Sequence, residues 1–348
     1  MLTLVPGGMG GSETYARELT RELATTDAVR ATAYVPEGAE GFSRGIPEVV
    51  VPGVRAGGST VQRLASVAAS LAGTRRIRAA MQSPQVVHFP FTVPVPPPAR
   101  GVGFVQSLLD VQHLDLPHLF SRPELLYRRR FYEGAAAKAD IVITISEFAR
   151  TRMVELLGIA PDRIRVAPLG VDASAYVAND GPREEFVLYP ARGWPHKNHA
   201  RLIEAMTILR AERPGLRLVL TGGGLDTLGA LPDWVEVKGL VSTDELRDLY
   251  RRAAVMAFPS LYEGFGLPPL EAMASGCPVA ASNAGSIPEV CGDAAVLFDP
   301  YSPESIADGI DTALELGGAG FSRGVAQAAA FTWQRCRDVH IDAYRDLV

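Results

Sequence analysis

Two rhythms of apolar residues alternate along the chain. Runs such as "ATAYVP", "QVVHFPF" and "GVGFVQSL" place apolar residues side by side, as strands covered on both faces do. Between them lie segments such as "GSETYARELTRELA", where Tyr15, Leu19 and Leu23 recur four apart on one helix face. "MLTLVP" reads as a first short strand, and Ser12 as the cap of the helix that follows. "ADIVITISEFARTRMVELLG" reads as a strand running into a helix capped by Ser146, and "DRIRVAPLGVD" as one more strand. The stretch from Asp172 to Glu185 is polar, contains Asn-Asp-Gly and lacks apolar periodicity, so it predicts a boundary. Beyond it the alternation restarts: "EFVLYP" as strand, "NHARLIEAMTILRAE" as helix, "LRLVLTGGG" as strand with a glycine turn, and on through "PVAAS". Two successive βα arrays predict an α/β chain of two doubly wound, mostly parallel sheets, with domains at 1–172 and 173–330. Ligands of such sheets bind at the carboxyl ends of the strands, and two sets of ends can face each other across a cleft.

Composition narrows the class. With 47% hydrophobic and 21% charged residues the chain is of the ordinary globular kind, and at 348 residues both domains can bury a core. The three cysteines, Cys277, Cys291 and Cys336, form no CxxC, which suits a reducing compartment and idle thiols. No apolar run approaches the ~18 residues of a membrane span. The start lacks a basic n-region, so no signal peptide is expected and the predicted location is cytoplasmic. A net charge of −5 argues against a nucleic-acid partner. The charge is uneven: residues 1–172 carry +3 and the remainder −8. The basic excess includes Arg75, Arg76 and Arg78, and Arg128, Arg129 and Arg130. These are either solvated helix faces or a surface that meets an anionic acceptor or the inner face of a membrane.

Three loops carry candidate chemistry. In "VPGGMGGSETY", Gly7, Gly8, Gly10 and Gly11 allow close backbone approach before a helix N-terminus, an anion site in principle. No Gly-Lys-Ser/Thr follows, and Glu13 holds the place of the last glycine of a dinucleotide fingerprint, so a tight turn without a ligand is the competing reading. "YPARGWPHKNHARL" sets Arg192 and Lys197 five apart in a loop that ends in a helix start capped by Asn198. Such a pair can clamp a diphosphate, Arg through its fork and Lys as a point charge. "LYEGFGLPPLEAMASG" places Glu263 in a loop and Glu271 in the first turn of a helix starting near Leu267, where Pro268 and Pro269 fit. Eight helical residues span ~12 Å, so the two acids should not share one proton but touch different parts of an extended ligand. There is no Asp-x-Asp for a metal–diphosphate complex, and His196 and His199 lack companions for a metal site.

In combination these residues resemble the retaining GT-B glycosyltransferases of family 4 (glycosyltransferase group 1). The resemblance runs from the glycine-rich loop to the C-terminal "FTWQRCRDVHIDAY". It implies two Rossmann-like domains facing across a cleft, with a C-terminal helix at about 331–348 crossing back to the N-terminal domain. It implies retaining transfer of a hexosyl group from a nucleotide-diphosphate sugar to a hydroxyl acceptor, with no cofactor and no metal. By the resemblance Glu263 faces the transferred sugar, and Glu271 holds the nucleotide ribose. The Gly264, Phe265, Gly266 and Leu267 backbone serves sugar hydroxyls and diphosphate, and Arg192 and Lys197 neutralise the leaving group. Gly10 and Gly11 approach it from the other domain, Ser260 and Tyr262 flank the site, and Leu240 and Val241 lie where the family holds the base. The family usually has a His directly before the Asp of "DVQHLDLPHLFS"; here that place is Leu109, followed by Asp110. His113, or else His88, could supply the imidazole, and His113 could equally be structural. Two other readings share the fold: a sugar-nucleotide epimerase, and a catalytically silent nucleotide-sugar-binding protein.

Overall fold

The computed structural model describes residues 1–57, 60–179, 181–317 and 321–348. The chain forms two compact units, Met1–Leu169 with Trp333–Val348, and Gly170–Thr332. Asp180, in the predicted Asn-Asp-Gly turn, lies outside the described residues.

In the first unit β1 (Ala33–Glu37) pairs in parallel with β2 (Glu48–Arg55). A four-stranded parallel sheet follows in sequence order: β3 (Val86–Phe89), β4 (Gly103–Ser107), β5 (Ile141–Thr144) and β6 (Ile164–Val166). Its core gathers Phe89, Phe104, Leu108, Val142 and Met153. The helix Glu147–Leu157 starts where predicted, with Ser146 Oγ accepting from the Ala149 N–H at 3.0 Å.

Two local expectations fail at the start of the chain. "MLTLVP" is not a strand: Leu2, Leu4 and Val5 are buried, but the Leu4 N–H turns back to the Met1 carbonyl and Gly8 to Val5. Apolar content bought burial there without a ladder partner. Nor does Ser12 cap the first helix, Gly11–Leu23. The cap position is Gly10, at φ 54° and ψ −129°, a conformation that glycine tolerates and serine does not. Glu13 instead accepts from the Gly7 N–H at 2.8 Å.

The C-terminal helix, Trp333–Arg345, belongs to the first unit and is tied into it by a directed hydrogen-bond chain. His340 Nδ1 lies 2.7 Å from the Cys336 carbonyl, which can only accept, so Nδ1 carries the proton. Burial pushes the His340 pKa down to about 4, so the ring is neutral and Nε2 accepts from the Tyr15 hydroxyl at 2.6 Å. Tyr15 must then accept from Ser107 Oγ (2.6 Å), Ser107 from His88 Nε2 (2.7 Å), and His88 Nδ1 from the Tyr344 hydroxyl (2.8 Å). His88 is likewise held well below its usual range, by burial and by the neighbouring His340. One proton order satisfies every member of the chain.

The second unit holds one parallel sheet: β7 (Glu184–Pro190), β8 (Arg217–Thr221), β9 (Val235–Gly239), β10 (Ala253–Phe258), β11 (Val279–Ser282) and β12 (Val296–Phe298). In space the order is β12-β11-β10-β7-β8-β9. The chain therefore builds outward from β7 through β8 and β9, then restarts on the other side of β7 with β10. That reversal between β7 and β10 is the topological switch point, where the loops leave the carboxyl ends in opposite directions. The central strands are apolar on both faces: Val187, Leu188, Met256 and Ala257 are fully buried.

All three cysteines are free and buried, and burial pushes each thiol up to about 12. Among the described residues no helix is long and apolar enough to cross a membrane.

Candidate active site

Lys197 sits in the loop after β7 and Glu263 in the loop after β10, so the sheet order alone brings both to the switch point of the second unit. Side chains and backbone lace the two loops together. The buried Tyr189 hydroxyl, at the end of β7, donates to the Lys197 carbonyl at 2.6 Å and lies 3.3 Å from Ser260 Oγ. The Leu261 N–H donates to the His196 carbonyl at 2.8 Å. Asn198 does not cap the helix His199–Leu209. It stands at φ 63°, and its Nδ2 donates to the Pro259 and Pro300 carbonyls at 3.0 and 2.7 Å. The side chain that looks like a cap is spent as a cross-brace between loops.

Within that frame Lys197 Nζ donates to Glu263 Oε1 at 2.6 Å, and lies 5.6 Å from the centre of the Phe258 ring. The Arg192 guanidinium stands 5.5 Å over the Trp194 ring on the same loop. The turn after β8 joins on: Gly193 N–H donates to the Gly223 carbonyl at 3.0 Å, and Gly222 N–H to the Gly239 carbonyl at 2.8 Å. Leu240, 79% exposed, follows directly beside Gly223. Arg192, Trp194, Gly223 and Leu240 thus form one rim at the carboxyl ends of β7, β8 and β9.

A third loop braces Glu263. Gly285 stands at φ 64°, and a Cβ there would come within 2.8 Å of the Glu263 carbonyl oxygen and 2.9 Å of its nitrogen. The next residue, Ser286, points its hydroxyl at the Glu263 and Phe265 carbonyls, at 3.0 and 2.7 Å. This bracket was missed in the sequence, where "AGSIPE" carries no ionisable group except Glu289.

The helix Leu267–Ala274 begins after Gly266 (φ 114°) with Pro268 and Pro269 in its first turn. The helix starts where predicted, and Glu271 is its fifth residue, just past the first turn in which the sequence placed it. It is half-buried, and burial raises its pKa; the Tyr250 hydroxyl, which donates to it at 3.0 Å, the Tyr176 hydroxyl beside it and the charge of Arg247 oppose that rise. Glu263 and Glu271 thus have separate partners.

Residues 177–322 match the family model for glycosyl transferases group 1, and residues 9–175 that for glycosyltransferase family 4. The O-antigen chain mannosyltransferase B of Escherichia coli is 30% identical over 276 residues, 71% of this chain and 71% of the relative. The chain belongs to the group 1, family 4 glycosyltransferases. An MMP alpha-(1->4)-mannosyltransferase of Mycolicibacterium hassiacum is 34% identical over 178 residues, 47% of this glycosyltransferase and 43% of the relative. A D-inositol 3-phosphate glycosyltransferase of Mycobacteroides abscessus is 32% identical over 250 residues, covering 64% and 55%. These two alignments take in about half the length of each relative. In fold the chain is similar to sucrose-phosphate synthase from Thermosynechococcus elongatus (TM-score 0.77, 19% identity, 97% of this chain and 94% of that one). It is also similar to Anabaena HepE solved with UDP and glucose (TM-score 0.71, 18% identity, 99% and 98%). The GT-B fold, with two Rossmann-like units, is therefore established, and the epimerase and silent-protein readings are not favoured.

Other predicted residues of the glycosyltransferase lie in its first unit. At Gly10 and Gly11 an added Cβ would meet no atom within 4 Å. His113 is enclosed, 1% exposed, edge-on to Phe120 and Tyr132 and with Nε2 3.3 Å from Glu133 Oε1. Burial and the nearby Arg128 push its pKa down to about 4. Its ring belongs to the packing of that unit. His88 is committed to Ser107 and Tyr344. Among the described residues no three of His, Cys, Asp and Glu come together as metal ligands would.

Proposed function

We propose that the switch point of the second unit binds a nucleoside-diphosphate sugar, and that the enzyme transfers its hexosyl group to a hydroxyl acceptor with retention and without a metal ion. The observation that carries this reading is the Lys197–Glu263 pair, held by laced loops at the switch point with Arg192 on the same loop. Breaking a glycosyl–phosphate bond develops negative charge on the leaving oxygen and positive character on the sugar. Lys197 and Arg192 suit the first, as fixed cations need no reorganisation when the charge appears. Glu263 suits the second, beside the sugar. The Gly264–Leu267 backbone serves sugar hydroxyls and diphosphate, Glu271 accepts from the ribose, and the rim at Leu240 and Val241 takes the base. The departing phosphate can take the acceptor's proton on the face it leaves, so no pair of glycosidase carboxylates is required.

The names of the relatives support a sugar donor and a hydroxyl-bearing acceptor, with mannosyl donors among the first to test. The basic first unit supports peripheral contact with an anionic surface: Leu126, 69% exposed, stands among the exposed Arg122, Arg129 and Arg130. Vesicles containing anionic lipid, compared with neutral ones, test that contact.

The deciding experiment is a thermal-shift screen of UDP-, GDP- and dTDP-sugars, followed by release of nucleoside diphosphate in excess EDTA. A ligand at 100 times its Kd adds ~2.7 kcal/mol. Activity that survives EDTA supports the reading. Loss on chelation with recovery on adding Mg²⁺ or Mn²⁺ overturns its metal independence, and no stabilisation by any nucleotide overturns the donor site.

A further inference from the structure

Glu271 does not stand alone in its helix. The Tyr250 hydroxyl, on the neighbouring helix Thr243–Arg252, donates to Glu271 Oε2 at 3.0 Å. Tyr176, near the start of the second unit, stands beside the same carboxylate and favours its charged form. The Arg247 guanidinium lies 5.3 Å over the Tyr176 ring and donates to Asp244 at 3.0 Å. Tyr250 is itself fixed: it is fully buried, and the Arg183 guanidinium donates to its carbonyl and to those of Arg251 and Ala253. Three separate pieces of chain therefore converge on one carboxyl group.

We propose that Tyr250 and Tyr176 are positioning residues, which hold the Glu271 carboxylate in a single orientation so that its remaining lone pairs meet the 2′,3′-diol of the donor's ribose. The inference rests on the reading of Glu271 as the ribose ligand. A carboxylate offers about four lone-pair sites, so two phenol donors leave room for two ribose hydroxyls. A phenol suits the task. Donating its proton, it favours the carboxylate, and unlike a second cation it does not compete with the ligand for the acid's charge. The groups that face Glu271 act in opposite senses. Burial favours the protonated acid, while the two hydroxyls and the charge of Arg247 favour the carboxylate. Removing a hydroxyl therefore loosens the rotamer and moves the acid's titration upward.

The test compares binding of UDP with that of 2′-deoxy-UDP by calorimetry (GDP and 2′-deoxy-GDP where guanine nucleotides stabilise the protein), from about pH 5 to about pH 8. Wild type should prefer the ribonucleotide by ~10-fold or more, as a charge-assisted hydrogen bond does. Glu271→Gln should lose most of that preference and its acid limb. Tyr250→Phe and Tyr176→Phe should each reduce the preference several-fold and move the acid limb to higher pH, with the thermal transition little changed. Tyr176 is only half-buried, so Tyr176→Phe carries the test should Tyr250→Phe fail to fold. Should Glu271→Gln leave the preference intact, the ribose reading fails and the inference with it. Should Glu271→Gln lose it while the phenylalanine variants keep the wild-type preference and acid limb, the ribose reading stands and the positioning role is overturned.

Discussion

Lys197→Met removes a charge and keeps the stem that lies beside Phe258. The structure sets the scale of what is lost. At 2.6 Å from Glu263 Oε1 the attraction is about 6 kcal/mol at an effective dielectric constant of ~20. Both side chains are largely withdrawn from water, 15% and 14% exposed, so desolvation cancels most of it. A pair between the surface and the deep interior leaves ~1–3 kcal/mol to be lost when one partner goes. The unliganded variant should be less stable by that much, measured by denaturant or thermal melts. A bound diphosphate changes the account. Lys197 then serves two anions, and the contact it adds to the ligand is worth ~1–2 kcal/mol net, or ~5- to 30-fold in Kd. Turnover should fall further, by ~100-fold, because charge on the leaving oxygen peaks in the transition state. Calorimetry with the nucleoside diphosphate gives the first number and steady-state rates give the second. A double-mutant cycle with Glu263→Gln, run in melts with and without nucleotide, should show a coupling that shrinks when the site is filled. Unchanged nucleotide affinity and unchanged turnover in Lys197→Met would remove the diphosphate clamp from this reading.

Three further outcomes are expected. Gly11→Ala places a methyl in open space within the first helix, so stability should hold or rise by up to ~1 kcal/mol while donor affinity falls; melts and calorimetry on one preparation check both, and undiminished donor affinity counts against a role for that loop. Gly285→Ala forces a Cβ against the Glu263 backbone in a left-handed conformation, so turnover should fall ~10-fold or more while nucleoside-diphosphate affinity changes little; equal loss of both would mean that the bracket does not act through Glu263. His113 and His340 have folded pKa values of about 4, below the ~6.5 of an unfolded chain, so the unfolded state binds more protons below that value. Their contribution is therefore full above ~pH 6.5 and is lost as pH falls, by ~2 kcal/mol each at about pH 5, and His340→Gln should flatten the acid limb of a stability–pH curve relative to wild type.

The alternation of strands and helices was legible because parallel strands buried on both faces leave short apolar runs, which their length and β-branched residues set apart from the longer helical segments. Ser146 was legible as a cap because a cap acts within three residues. Legibility ended where a residue's partner lies far along the chain. Asn198 has the look of a cap and serves carbonyls 61 and 102 residues away. Tyr15 reads as one more position on an apolar helix face, yet its hydroxyl closes a chain to His340 across 325 residues. "MLTLVP" has the composition of a strand, but a strand exists only where the backbone pairs in a ladder, and residues 1–6 form turns and pair in none. Ser286, Tyr250 and Tyr176 are neutral residues whose only visible property is the charged group they hold. Sequence reading locates charges well and their supports poorly, since a hydroxyl or an amide becomes specific only through its distant partner.

The two glutamates show what that difference means for chemistry. A helical distance is no measure of their separation, since Glu263 lies in the loop before the helix and Glu271 inside it, as the sequence placed them. Environment separates them instead. Glu263 meets a cation and has its backbone fixed by a glycine contact and a serine hydroxyl. Glu271 meets two phenols in a buried place that raises its pKa. A carboxylate held by a cation that can also turn to a diphosphate is coupled to the arrival and departure of that diphosphate. A carboxylate held by neutral donors is indifferent to it, and can grip the constant part of the nucleotide before and after the sugar leaves. On the proposed reading, the identity of each acid's partner, more than its position in the motif, assigns one to the step that changes and the other to the part that does not.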